Sequence, residues 1–267
     1  MRMPHEDVEA LMAEASERIV LPRFGRLASG DIDEKKANDF VTIADREAEA
    51  FLAPRLAALL PGALVLGEEA ASADPSLMRR IGTQGLLWVV DPVDGTRSFI
   101  DRRDDFGIIV ALLRDGEPIG GWILQPIGGR RLATERGAGT RLAGFAPAPP
   151  RPAGGLPLGM FLGRLPDGAR ARDRAAGRYE VGPRPGGGAI AFLEMAADAA
   201  DLLYLARGWP WDHAAGALAL REAGGEARFV GDGAPYSPRR WNEPILMTRE
   251  AGLWPAARAM LDAAPGA

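Results

Sequence analysis

Five apolar residues in a row, Leu86-Leu-Trp88-Val-Val90, run directly into Asp91-Pro-Val-Asp94-Gly95-Thr96. The apolar run has the length of a strand, Pro92 turns the chain, and Gly95 and Thr96 open a short helix. Two carboxylates therefore stand at the end of a strand, beside a helix start. Around this segment the sequence alternates helical and strand patterns. Val8, Leu11, Met12, Ala15 and Ile19 recur at helical spacing, and a second helix runs over about 43–60, opened by Thr42 and interrupted late by Pro54. Strands follow at 64–66, 86–90, 106–113 and 119–125, with Asp115-Gly116 as a hairpin turn between the last two.

The stretch 146–154 holds four prolines and reads as an exposed connector. It divides the chain into an amino-terminal helix-plus-sheet half, residues 1–145, and a carboxy-terminal α/β half, residues 146–267. In the second half, strands near 158–162, 179–181, 201–205 and 244–248 alternate with helices near 168–176, from 189, over 212–223 and over 251–263. Gly224-Gly225 closes the third of those helices. The alternation predicts a layered α/β or α+β fold. At 267 residues the chain lies between one large domain and two, taking roughly 150 residues per domain.

Composition removes several chemistries. There is no cysteine, which excludes disulfides, iron–sulfur clusters, thiolate zinc sites and cysteine nucleophiles. The only histidines are His5 and His213, too few for a multi-histidine metal site. Lysine occurs only at Lys35 and Lys36, against 30 arginines, and this skew is read as compositional rather than chemical. A net charge of -4 with no basic block argues against nucleic acid as a partner. No apolar run reaches the roughly 18 to 20 residues of a membrane helix, and the polar, acidic start does not resemble a signal peptide. The expected setting is soluble and cytoplasmic.

Four acidic clusters carry the candidate chemistry, and each has a plain structural alternative. Asp91 and Asp94 suit a hard divalent cation beside a phosphate, the carboxylates neutralising the metal and the helix-start N–H groups receiving the anion. Equally, they form a strand followed by an Asp-Gly turn and cap. Glu68-Glu69, after Gly67, also fits an ordinary solvated loop. Asp212, in Trp211-Asp212-His213-Ala-Ala-Gly216, is most simply a helix cap or dipole partner. Val41-Thr42-x-x-Asp45 matches a capping box. A serine hydrolase with an Asp–His pair is set aside, because no Gly-x-Ser-x-Gly elbow occurs and neighbouring helical side chains diverge. Gly186-Gly187-Gly188 lacks the context of a dinucleotide loop and instead allows close backbone approach.

Taken in order, these clusters resemble the inositol monophosphatase superfamily of magnesium-dependent, lithium-sensitive phosphatases. The resemblance rests on Val41-Thr42-x-x-Asp45, Gly67-Glu68-Glu69, Asp91-Pro-Val-Asp94-Gly-Thr96, Trp211-Asp212-x-Ala-Ala-Gly216 and Glu222-Ala-Gly-Gly225. It implies a sandwich of alternating helix and sheet layers and a homodimer. It also implies two to three Mg²⁺ ions held by Glu68, Asp91, the Val93 carbonyl, Asp94 and Asp212, with Asp91 bridging and Glu69 behind them. Asp45 would pair with Thr96, whose hydroxyl orients the attacking water, and Glu68 would serve both catalysis and metal binding. The implied substrate contacts are Asp94, Gly95, Thr96, Gly187, Gly188, Ala189, Leu205, Arg207 and Asp212.

The implied reaction is hydrolysis of a small phosphomonoester by metal-activated water. Relatives acting on histidinol phosphate, 3′-phosphoadenosine 5′-phosphate or fructose 1,6-bisphosphate share the metal core, as would a phosphate- or metal-binding regulatory protein. Two departures stand out. Ser98 replaces the family's usual Asn, and His213 stands where an apolar residue is usual, either packed in its helix or reaching toward substrate. Inositol-specific members carry an acidic residue seven positions before the Trp-Asp aspartate; that count reaches Leu205, which is either a pocket residue unable to accept a hydroxyl or simply a strand residue. Arg207 and Trp209, if they face the pocket, favour a second anionic group or a flat ring. A weak preference, or none, for inositol 1-phosphate follows.

Overall fold

The structure is a computed structural model that describes residues 2–37, 39–146, 158–162, 177, 180–182 and 185–262. Helix α1 (His5–Ala15) continues through a π-helical turn at Ser16–Val20. A short antiparallel hairpin, β1 (Ile32–Lys36) and β2 (Asp39–Thr42), leads into α2 (Ile43–Leu59). Strand β3 (Leu64–Gly67) runs into α3 (Glu68–Ala73) and a 3-10 segment at Pro75–Gly82. Then come β4 (Leu86–Asp94), α4 (Thr96–Ile100), β5 (Gly107–Arg114), β6 (Glu117–Leu124), β7 (Arg131–Glu135) and β8 (Gly139–Ala143). These six strands form one sheet in sequence order, β3 and β4 parallel and the rest antiparallel.

The second sheet contains β9 (Leu158–Leu162), β10 (Glu180–Val181), β11 (Leu202–Leu205), β12 (Glu226–Phe229) and β13 (Ile245–Thr248), in the order β10-β9-β11-β13-β12. Its helices are α5 (Gly188–Ala196), α6 (Pro210–Glu222) and α7 (Trp254–Asp262).

Period-two burial explains the layering. On β5, Ile108, Val110 and Leu112 pack with Val8 and Met12 of α1 and Ala48 and Leu52 of α2. Ile109, Ala111 and Leu113 point to the opposite core, with α5, α6 and the inner face of the second sheet. A strand buried on both faces reads as a continuous apolar run. The far side of the second sheet packs Leu202, Tyr204 and Leu246 against Ala257 of α7. The layers are therefore helix, sheet, helix, sheet, helix. Gly216 makes the middle layer possible: a Cβ there would lie 2.1 Å from the Phe192 ring, so only glycine lets α6 approach α5.

The expected helices at 43–60 and 212–223 and the strands at 64–66, 86–90, 106–113, 119–125, 158–162, 201–205 and 244–248 all occur within a few residues of their positions. The Asp115-Gly116 turn has φ of 51° and 79°, the left-handed pair that closes a two-residue hairpin. The hairpin β1–β2 and the strands β7, β8 and β12 were not expected. The proline-rich stretch 147–154, the helix near 168–176 and Tyr179 lie outside the described residues.

Candidate active site

Strand β4 makes the centre of the site. Its pairing with β5 slips between Asp91 and Asp94, a bulge of the kind that re-aims side chains at the end of a strand. The Asp91 Oδ1 accepts the Val93 N–H at 3.1 Å. Gly95 then adopts φ of 84°, and α4 begins at Thr96. The strand-to-turn-to-helix sequence is thus realised, and both aspartates are buried.

Asp45 performs two tasks that the sequence reading set as alternatives. Its Oδ2 accepts the Thr42 N–H at 2.8 Å and the Thr42 hydroxyl at 2.5 Å, closing the capping box of α2. Its Oδ1 lies 3.1 Å from the Thr96 Oγ1. Thr96 Oγ1 is also 3.0 Å from the Val93 carbonyl, and with a single proton it donates to one acceptor at a time.

Glu68 begins α3. Its placement depends on Glu49, one helical turn beyond Asp45, whose carboxylate accepts the Glu69 and Ala70 N–H groups at 2.8 and 2.9 Å. Lys35, at the end of the β1–β2 hairpin, donates to Glu68 at 2.9 Å and to Glu69 at 3.0 Å. Although burial opposes its charge, those two carboxylates raise the Lys35 ammonium pKa. The lysines read as a compositional skew therefore both reach the site, Lys35 through its carboxylate contacts and Lys36 in the wall of the cavity that Glu68 and Asp212 share. Neither Glu49 nor Lys35 was singled out from sequence. Glu49 lay in an apparently ordinary helix, and Lys35 in a charged run with no apolar alternation.

Asp212 occupies the third position of α6 and keeps a quarter of its side chain open. Carboxylate oxygens of Glu68, Asp91 and Asp212 lie within 4.8 Å of one another, one from each residue. Asp94 is held differently. Its Oδ1 accepts the Gly188 N–H at 3.1 Å and its Oδ2 the Ala189 N–H at 2.7 Å, at the start of α5. A Cβ on Gly187 would sit 2.2 Å from Asp94 Oδ2, so the glycine run is what permits this approach. The expectation that Gly188 and Ala189 contact substrate is corrected accordingly: their N–H groups are committed to Asp94 and both residues are buried, whereas Gly187 is half-buried.

Leu205 is also corrected. It is 1% exposed and packs in the core between the sheets, so it presents nothing to a ligand. Arg207 is exposed, with its guanidinium 5.9 Å from the Trp209 ring centroid, and does not line the cavity that Glu68 and Asp212 share. His213 is packed rather than substrate-facing. Its imidazole is 4% exposed and meets Phe192 edge-on, and burial pushes its pKa down to about 3, so it is neutral. Ser98 is buried and accepts a hydrogen bond from Arg103 at 2.7 Å.

The electrostatics fit a hard cation. Burial, and then the fields of Glu68 and of neighbouring aspartates, push Asp91 and Asp212 well above the usual carboxylate range. Burial raises Asp94 to about 7, Asp45 to about 6 and Glu69 to about 7. Carboxylates this close repel one another unless protons or a metal neutralise them. An oxygen-only donor set without cysteine or histidine suits magnesium or calcium rather than a softer ion.

A stability prediction follows with a definite sign. Folded pKa values raised above the unfolded ones contribute stability that is complete below about pH 4 and lost as pH rises through about 6 to 7. In chelator, the melting temperature should therefore fall between about pH 5 and 8. Magnesium, binding the ionised carboxylates, should raise it more at pH 8 than at pH 5. Thermal melts at both pH values test this; a magnesium shift equal at both would contradict it.

A layered α/β protein with carboxylates gathered where a central strand meets two helix starts has a site that could hold a metal ion. The sequence profile of the inositol monophosphatase family matches residues 5–249. The chain belongs to that family of phosphatases. It is 26% identical over 246 residues to the fructose-1,6-bisphosphatase/inositol-1-monophosphatase of Aquifex aeolicus (strain VF5), covering 85% of this chain and 86% of the relative. It is 28% identical over 243 residues to the Nus factor SuhB of Xylella fastidiosa (strain Temecula1 / ATCC 700964), covering 88% and 86%. Its fold matches that of the IMPase from Thermotoga maritima with a TM-score of 0.80 at 22% identity, over 97% of both chains. Among the described residues, no helix is long and apolar enough to cross a membrane.

Proposed function

We propose that this protein is a magnesium-dependent phosphatase that hydrolyses a small phosphomonoester by attack of water. The observation that carries the reading is the gathering of Glu68, Asp91 and Asp212 beside the Asp45–Thr96 pair. Glu68, Asp91 and Asp212 would hold the ion, with the Val93 carbonyl and Asp94 as the further ligands that the family resemblance implies. Magnesium, when bound, supplies neutralisation of the phosphoryl charge and acidification of a water.

The chain's own groups do the rest. With its pKa raised to about 6, Asp45 is ionised at neutral pH and accepts a hydrogen bond from the Thr96 hydroxyl. That leaves the Thr96 lone pairs to accept from water and hold it in one orientation. The N–H groups of Gly95 and Thr96 are assigned to phosphate oxygens. Lys35 balances Glu68 and Glu69 at the mouth of the site. The homodimer belongs to the proposal through the family resemblance alone, and the cytoplasmic setting as an expectation from sequence.

A regulatory protein on the same fold is a second reading, favoured by the name of the Xylella relative. Retention of all the candidate carboxylates together with the Asp45–Thr96 pair supports the enzyme. Phosphate release from p-nitrophenyl phosphate and a few dozen phosphomonoesters, with magnesium and with chelator, tests both. Turnover with magnesium that chelator abolishes is expected; none in any case would leave the regulatory reading. In the same screen, kcat/KM for inositol 1-phosphate should not exceed every other ester by more than about tenfold, a margin of about 1.4 kcal/mol.

A further inference from the structure

Beside the candidate metal ligands lies a cavity of about 400 Å³, and of its aromatic wall the sequence pointed only to Trp209. Glu68 and Asp212 line it together with Trp209, Trp211 and Trp241. The indoles of Trp209 and Trp211 are stacked with centroids 5.1 Å apart and planes 13° apart; Trp209 and Trp241 are stacked at 4.6 Å and 16°. Trp209 and Trp211 flank the start of α6, whereas Trp241 follows a 3-10 turn at Pro238–Arg240. The Gly208 N–H donates to the Trp241 carbonyl at 2.9 Å, pinning the two segments together. Trp211 is buried and Trp209 and Trp241 are half-buried, so the latter two offer the more open aromatic surface to whatever enters.

Lys35, Lys36, Asp39 and Ser72 also line it, so the cavity joins charged and polar groups to an aromatic wall. A polyol placed against the indoles would lose water from its hydroxyls without gaining acceptors. An aromatic ring would bury apolar area and meet the indole quadrupoles in edge-to-face or offset geometry. We propose that the substrate is a phosphomonoester whose alcohol carries a flat aromatic ring, seated on the Trp209–Trp211–Trp241 stack while the phosphate faces Glu68 and Asp212. This deepens the phosphatase reading and rests on it.

The test uses three alkyl esters whose leaving alcohols have similar acidity, so that differences report the ring and not the chemistry. They are 2-phenylethyl phosphate, 2-cyclohexylethyl phosphate and glycerol phosphate. With magnesium, kcat/KM for the phenyl ester should exceed both others by at least about tenfold. In Trp241→Leu, the ratio of phenyl to cyclohexyl ester should fall to within about threefold, because a leucine keeps apolar area but no aromatic face. Trp241→Phe should restore part of the ratio. Equal values for phenyl and cyclohexyl esters in the wild type, or a ratio unchanged in Trp241→Leu, overturn the proposal. If no ester is hydrolysed, the phosphatase reading fails separately. Calorimetric titration of the same esters then decides the wall: tighter binding of the phenyl ester supports it, and equal or absent binding of both overturns it.

Discussion

Asp91→Asn should lower kcat/KM by at least about 10³-fold at saturating magnesium, because it removes the charge of the most central carboxylate in the site. Asp91 is 2% exposed at the bulge of β4 and shares its neighbourhood with Glu68, Asp94 and Asp212. Asparagine has the same shape, and its amide oxygen can still accept the Val93 N–H. The turn into α4 should therefore survive. In chelator the variant should melt no lower than the wild type, since a buried, repelled charge has been removed. What it should lose is the upward shift that magnesium gives the wild type. Near wild-type turnover, or an undiminished magnesium shift, would show that Asp91 is not a ligand.

The sequence displayed the acidic half of the candidate site far better than its aromatic half, for physical reasons. Asp45, Glu68, Asp91, Asp94 and Asp212 sit at the ends of strongly patterned elements, where a strand stops or a helix begins, so their positions follow from local rules. The β1–β2 hairpin has no such pattern. Asp33-Glu34-Lys35-Lys36 carries no apolar alternation, and the strand exists through backbone pairing with β2. Lys35 was invisible for that reason. The indole stack is non-local: Trp241 meets Trp209 because β11 and β13 pair antiparallel with Leu205 opposite Ile245, which brings the segment after one strand to the segment before the other. Counting back seven residues to Leu205 failed for a related reason. On a strand, a one-residue shift exchanges the core face for the other, and Leu205 faces the core.

Thr96→Ala and Asp45→Asn should each lower kcat by about 10²-fold or more, the cost of misplacing a positioned reactant, and together should be little worse than either alone. The Thr96 hydroxyl has two acceptors in reach, Asp45 and the Val93 carbonyl. An ionised Asp45 draws the proton to itself and fixes which way the oxygen lone pairs point. Asparagine at 45 can still accept from Thr42 and cap α2, but its neutral amide no longer commands the Thr96 proton. Alanine at 96 removes the oxygen altogether. Either change ends the same orientation of water, so the second has little left to remove. Magnesium affinity, read from the thermal shift as a function of magnesium concentration, should change little in Thr96→Ala, since the hydroxyl is assigned to water and not to the ion. Losses in kcat that multiply across the double variant would mean that the two residues act separately, and that the 3.1 Å contact is only a structural bond between α2 and α4.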